Sequence, residues 1–225
     1  MTDAAFDTRS HKSSTREALL QPMLAHAAFD GWTAATFEAA RREAGIGAGE
    51  AELACPRKEL DMLAHWSRQL DAAVLDAVKA GDLSQMKIRD RVRFGVMARL
   101  TAIGEHEEAA RRARARLMLP DAGAEGAQLL WVTADTIWRA IGDTSTDVNF
   151  YTKRTILAGV YGTTLATWLG ETDAAKPEAR AFLDRRIQNV MDFEKTKAQL
   201  QRMTADMPDM AGFLGKLRYG PGPRA

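Results

Sequence analysis

The sequence predicts an all-α protein. Three observations carry the prediction. Apolar residues recur at spacings of three, four and seven along segment after segment, which is the helical period. The segments are punctuated by helix stops at Gly31, Gly45, Gly81, Pro120 and Gly170. A run from Thr155 to Gly170 has no charged residue at all, yet it is too short and too rich in Thr and Gly to span a bilayer. With 225 residues, 46% of them apolar and 27% charged, the chain has a soluble globular composition. That length suits one medium domain, or a small one fused to a larger.

Residues 1–13 are polar and are expected to be disordered. From Thr15 to Phe29 the residues Leu19, Leu20, Met23, Leu24, Ala27 and Ala28 mark a helix that Gly31 stops. Thr33 starts a second helix, with Phe37 and Ala40 inward and Arg41 and Arg42 outward, ending at Ala44-Gly45. The run Ala44-Gly-Ile-Gly-Ala-Gly49 has the look of a phosphate loop, but a dinucleotide fingerprint follows a strand and this run follows a helix. Helix, glycine turn and short helix are instead the layout of a helix-turn-helix. Its reading helix would be Gly49 to Ala54. Contact with phosphates and base edges needs Arg, Lys, Asn, Gln or Tyr there, and the segment offers Glu50 and Glu52. The layout is predicted without the DNA chemistry.

Lys58 to Lys79 reads as a long helix with Leu60, Leu63, Leu70, Val74 and Val78 inward, broken by Gly81-Asp82. Met86 to Ile103 follows with the ladder Ile88, Val92, Val96 and Leu100; its basic residues Lys87, Arg89, Arg91 and Arg93 read as a solvated face. Glu107 to Leu119 is a helix closed by Pro120, its arginines scattered around the axis. Gly126 to Ile141 carries Leu130, Ile137 and Ile141 in register, and Trp131 and Trp138 seven apart. After Gly170 a polar loop leads to a helix from Ala181 to Met203, with Leu183, Ile187, Val190 and Met191 inward. Last, Met207, Met210, Phe213, Leu214 and Leu217 form an amphipathic stripe flanked by Lys216 and Arg218, and Gly220-Pro-Gly-Pro223 ends it. Such a helix suits a membrane surface or a lid over the protein's own pocket.

The centre of the chain is the stretch from Gly142 to Leu169. Its polar opening, Asp143 to Asp147, supplies turn and capping oxygens, with Thr146 or Asp147 as the N-cap. The helix that follows sorts into two faces. Phe150, Leu157, Tyr161, Thr164 and Trp168 form a bulky one; Val148, Thr152, Thr155, Gly159, Gly162, Thr163 and Ala166 form a small one. A helix of this composition is expected to be buried on most sides. Its small face either lets another backbone come close or leaves room for an elongated apolar ligand.

Several of these residues also occur in a known family. Asp135-Thr-Ile-Trp138, Gly142-Asp-Thr-Ser-Thr-Asp-Val-Asn-Phe-Tyr-Thr-Lys-Arg154, Val160-Tyr161 and Phe182-Leu-Asp-Arg-Arg-Ile187 resemble the ubiquinone (coenzyme Q) biosynthesis accessory proteins, the ninth family of that set. Leu119-Pro120 and His26 to Ala34 fit the same family. The resemblance implies a helical bundle like the TetR repressors, with a degenerate N-terminal helix-turn-helix and a C-terminal amphipathic helix. It also implies an apolar pocket for an isoprenoid quinone or other lipid, partnership with the di-iron demethoxyubiquinone hydroxylase, and a homodimer, for which residues 147–169 and 178–205 are the interface candidates. Trp138, Leu157, Gly159, Tyr161, Gly162 and Leu165 are the candidate lipid-binding residues. Asp147, Phe150 and Tyr151 are the candidates for the hydroxylase, with Phe150 standing where the family's docking motif has Trp. Met207, Met210, Phe213, Leu214 and Leu217 are those for the membrane. The competing class from the same layout is a ligand-responsive transcriptional repressor, which the acidic reading helix disfavours.

Catalytic signatures are missing. His11, His26, His65 and His106 have no Glu three residues before them, so the di-iron pairing is not encoded, and neither a Walker loop nor a Gly-x-Ser-x-Gly elbow is present. No enzyme, metal or cofactor is predicted. A formal net charge of +1 offers no global attraction to nucleic acid. The single Cys55 suits a reducing compartment. Met1 to Ser14 lacks the apolar core of a secretory signal and makes a poor presequence. The expected location is the cytoplasm, peripheral to the inner membrane, or the matrix side in a mitochondrion. The expected division is a disordered 1–13, a helix-turn-helix region 14–56, a ligand-binding and dimerisation domain 57–205, an amphipathic helix 206–219 and a tail 220–225.

Overall fold

The computed structural model describes residues 3–146 and 148–205, with the backbone alone described at 3–10 and 193–205. All regular structure among the described residues is helical. The chain divides into two units, 1–184 and 185–225.

Helix α1 spans Asp3–Asp30. It takes in the polar stretch before Thr15, which has no apolar period but also no glycine or proline to interrupt a helix. Leu19, Leu20, Met23, Leu24 and Ala27 are buried as their spacing predicts. Gly31, at φ 78°, ends the helix. Thr33 then caps α2 (Ala34–Glu43) by accepting from the Thr36 N–H at 3.1 Å. Gly45, at φ 67°, closes α2, with Ile46 N–H donating to the Arg41 carbonyl and Gly45 N–H to that of Arg42. Helix α3 (Ala48–Ala54) docks on α1. Thr15 Oγ1 donates to Glu50 Oε1 at 2.9 Å, and the Arg16 guanidinium donates to the Ala54 carbonyl at 2.9 and 2.6 Å. Glu50, on the expected reading helix, is thus engaged by the chain itself.

The body follows as α4 (Glu59–Ala80), α5 (Ile88–Thr101), a 3-10 turn (Gly104–His106), α6 (Glu107–Leu117), α7 (Gly123–Ala140), α8 (Val148–Gly170) and α9 (Pro177–Ala205). Helix α4 packs against α1, α2, α5 and α7. Leu63, Leu70 and Val74 are buried on it, whereas Leu60 and Val78 are half-buried and Met62 and Trp66 take the inner positions. On α5, Val92, Val96 and Leu100 are buried; Ile88, its first residue, is exposed. Gly95 lets α5 run close to α7, because a Cβ there would stand 2.8 Å from Ile137 Cγ2. The buried Trp32 stacks on Trp66, rings 5.7 Å apart, and donates from Nε1 to the Ala109 carbonyl at 2.9 Å. The first three helices are therefore continuous with the body of the first unit.

Helix α8 packs mainly on α7 and also touches α6 and α5. It is not buried on most sides. The bulky face is inside, with Leu157, Tyr161, Thr164 and Trp168 buried, while Thr155, Gly159 and Thr163 of the small face are exposed. Glycine and threonine expose little apolar surface, so an uncharged face of this kind costs little in water. The carbonyls at the end of α8 are met by the Lys176 ammonium, which donates to Trp168 and Glu171 at 3.1 and 2.8 Å and pairs with Glu107 at 2.7 Å. Pro177 then opens α9, where its missing N–H costs nothing. Leu183 is buried; Ile187, Val190 and Met191 belong to the second unit, where Gln188 Nε2 donates to Asp192 Oδ1 at 2.8 Å. The C-terminal stripe from Met207 to Leu217 lies outside the described residues. Among those described, no helix is long and apolar enough to cross a membrane.

Candidate ligand cavity and aromatic platform

A cavity of about 490 Å³ opens in the first unit between α4, α6, α7 and α8. Its inner wall is Leu63, Trp66 and Leu70 of α4, Ile103, and Ala110 and Ala113 of α6. The outer wall is Leu129 and Leu130 of α7 and the α8 residues Ala158, Gly159, Gly162 and Leu165. The exposed lining residues Arg114, Met118, Ala127, Gly159 and Thr163 mark its mouth. Gly159 shows why small residues matter here, since a Cβ built on it would meet nothing within 4 Å. The small face therefore leaves space beside the helix instead of seating a neighbouring backbone.

Of the residues expected to bind a lipid, Gly159, Tyr161, Gly162 and Leu165 line the cavity. Trp138 and Leu157 do not. Trp138 is turned to the α7–α8 corner, where its Nε1 donates to the Lys153 carbonyl at 3.1 Å, and Leu157 is packed on the buried face of α8. One group that the sequence reading passed over also lines the cavity, the buried Arg99. It stands three and seven residues after Val96 and Val92, on the same inward stripe, and that register was the available signal.

The corner between α7 and α8 is a second centre. Gly142, at φ 93°, ends α7 with a Schellman turn in which Asp143 N–H donates to the Trp138 carbonyl at 2.9 Å and Gly142 N–H to that of Arg139 at 3.1 Å. This sets the Asp143 carboxylate against α8. It accepts from Lys153 Nζ at 2.7 Å, Arg154 Nη1 at 3.0 Å and Ser145 Oγ at 2.9 Å. Burial would raise the Asp143 pKa, but the hydrogen bonds from Lys153, Arg154 and Ser145 outweigh it and hold the group at about 2. The Arg154 side chain, 1% exposed, also pairs with Asp135 Oδ1 at 2.7 Å and lies over the Phe150 ring, 3.6 Å from its centroid. Asp143 is thus an ion-pair anchor as well as a turn residue.

On this anchor sits an aromatic platform. Trp131 stacks with Tyr151 at 6.1 Å, and Phe150 meets Tyr151 edge-on at 5.1 Å. Tyr151 is 63% exposed and Val148 is exposed beside it, while Phe150 is half-buried against Arg154. Of the residues expected to face a partner protein, Tyr151 is therefore accessible, Phe150 partly so, and Asp147 lies outside the described residues. Among those described, no group of three or more His, Cys, Asp or Glu is placed to hold a metal ion.

Residues 123–194, which contain the corner, the platform and the outer cavity wall, match the COQ9 family model. The chain is 29% identical over 178 residues to the rat ubiquinone biosynthesis protein COQ9, mitochondrial, covering 76% of this chain and 57% of that protein. It is 27% identical to the human protein of the same name over the same length, 76% and 56% of the two chains. Identity to the Xenopus tropicalis protein is 32% over 114 residues, covering 51% and 36%. The chain thus spans a little over half the length of its mammalian relatives. The family model and these relatives agree: over residues 123–194 the chain is similar to the COQ9 family, and over 178 residues to mammalian proteins of that name.

Proposed function

We propose that this chain serves ubiquinone biosynthesis, the process named in its relatives, as a binding protein without a catalytic step of its own. It takes up an isoprenoid quinone intermediate in the cavity and presents it to the demethoxyubiquinone hydroxylase at a membrane surface. The observation that carries this reading is the cavity itself. Its volume of about 490 Å³ falls in the range of small-molecule sites, its walls are mostly apolar, and its mouth is kept open by the glycines of α8. The platform of Trp131, Phe150 and Tyr151 supplies the docking surface, since accessible aromatic anchors over a rigid base are what interface hot spots are made of. In a mitochondrion the place of action is the inner membrane, with the stripe from Met207 to Leu217 resting on it.

The test is Gly162→Leu. A Cβ at this position would lie 3.5 Å from the Leu130 methyl carbons, an ordinary contact, so the rest of the leucine enters the cavity. Lipid extracted from freshly purified protein and quantified by mass spectrometry is expected to fall sharply in the variant at an unchanged melting temperature. Equal lipid in a stable variant would show that the cavity is not the binding site.

A further inference from the structure

Six polar side chains break the apolar lining: Arg114 and Thr163 at the exposed mouth, and Ser67, Arg99, Thr133 and Tyr161 on its buried side. The four buried ones form one cluster with Asp71. Arg99 Nε donates to Asp71 Oδ1 at 2.6 Å, Nη2 donates to Ser67 Oγ at 2.8 Å, and Nη1 donates to the Tyr161 hydroxyl oxygen. Thr133 Oγ1 donates to Asp71 Oδ1 at 3.0 Å. A guanidinium has five N–H donors. The partners above, with the Ser67 carbonyl 3.5 Å from Nη2, leave one donor on Nη1 without an acceptor among the described residues. The Tyr161 hydroxyl accepts from Arg99 and keeps its own proton, for which no described acceptor is placed. Burial raises the Tyr161 pKa, which holds that proton in place. The closed side of the cavity therefore has two hydrogen-bond donors to spare.

The charge of the cluster decides what those donors suit. Arg99 is balanced by Asp71, whose second oxygen, Oδ2, is buried without a partner. An anion brought here would meet that carboxylate in a poorly solvated site with no net positive charge left to hold it. A neutral oxygen acceptor, such as a ketone or quinone carbonyl, takes up both spare donors at no such cost.

We infer that the cavity binds its ligand head-inward, with a neutral carbonyl-type oxygen against Arg99 and Tyr161 and the apolar chain running out past Gly159 and Met118. This rests on the proposed function and sharpens it. A ligand held this way has its polar end shielded, so the enzyme that acts on that end receives it after release, not while it is seated.

The experiment uses the full chain and three probes with the same isoprenoid body: farnesane, a hydrocarbon; farnesylacetone, a neutral ketone; and farnesoic acid, an anion at neutral pH. Affinities are measured by titration calorimetry for the unaltered protein and for Tyr161→Phe, which removes the hydroxyl, a donor toward the cavity and an acceptor toward Arg99, with only one oxygen atom of volume. The ketone is expected to bind best, and Tyr161→Phe to weaken it by roughly three- to tenfold, the worth of one hydrogen bond, while leaving farnesane unchanged. In the unaltered protein the carbonyl stretch of bound farnesylacetone is expected at lower wavenumber than in hydrocarbon solvent, a readout that needs no variant. Equal ketone affinity in both proteins with an unshifted carbonyl band would overturn the head-inward mode while leaving the cavity standing. Preferential binding of the acid would overturn the neutral-head assignment. Failure of all three probes to bind would remove the cavity reading, and this inference with it.

Discussion

Replacing Arg154 by Met is expected to destabilise the first unit heavily, and the reason is countable. Its guanidinium is buried, pairs with Asp135 at 2.7 Å and Asp143 at 3.0 Å, donates to the Phe150 carbonyl at 3.2 Å and covers the Phe150 ring. Methionine keeps most of the packing but leaves two carboxylates short of a cation. Removing one member of a buried pair costs about 3–5 kcal/mol. Lys153 remains on Asp143 and Arg139 on Asp135, so the lower end applies. For a chain of this size that is a fall in Tm on the order of 10 °C. The acid limb gives a second, independent reading. The Asp143 pKa is depressed from an ordinary 3.8 to about 2, which is worth about 2 kcal/mol of stability. Because the folded value is the lower one, this contribution is complete above about pH 5 and is lost as pH falls from there through about 2. Urea unfolding between pH 6 and pH 2 is expected to show a gap between the unaltered protein and Asp143→Asn that closes over that window. A gap that stays constant down to pH 2, or an Arg154→Met protein as stable as the parent, would refute the clamp.

Two further outcomes follow from local geometry. Gly95→Ala places a methyl 2.8 Å from Ile137 Cγ2, so overpacking at about 1–3 kcal/mol outweighs the gain of up to about 1 kcal/mol in helix propensity, and the urea midpoint falls; a rise would mean that α5 and α7 are not in close contact there. Tyr151→Ala removes an exposed ring, so Tm should stay within a few degrees while pull-down of demethoxyubiquinone hydroxylase weakens by roughly tenfold or more; undiminished pull-down would take docking away from the platform.

The helices were legible because their stops are chemical. Gly31, Gly45 and Gly142 sit at positive φ at helix ends, and Thr33 is the cap its position suggests. Burial along α1 followed the apolar period at Leu19, Leu20, Met23, Leu24 and Ala27, with Ala28, the last of the stripe, half-buried. The buried charges were less visible. Arg99 and Arg154 each occupy an inward register, three or seven residues from buried apolar neighbours, yet an arginine in a basic or polar stretch reads as solvated unless its acids are known. Those acids, Asp71 on α4 and Asp135 on α7, come from other helices and are 28 and 19 residues away in sequence. Periodicity along one helix says nothing about what another helix brings to it.

The same limit explains the central helix. Turning α8 on its axis separates bulky from small side chains, but the absence of charge predicts burial on most sides, and the small face is partly exposed. Burial answers to the area a side chain would expose, and Thr155, Gly159 and Thr163 expose little apolar area. Two hydroxyls on or beside this face are also satisfied locally: Thr163 Oγ1 donates to the Gly159 carbonyl at 2.7 Å, and Thr167 Oγ1 to the Thr163 carbonyl at 3.2 Å. A face built this way needs neither a covering helix nor a charge to stay in water. It is therefore free to serve as the thin wall of a cavity whose other walls, on α4, α6 and α7, supply the apolar contact.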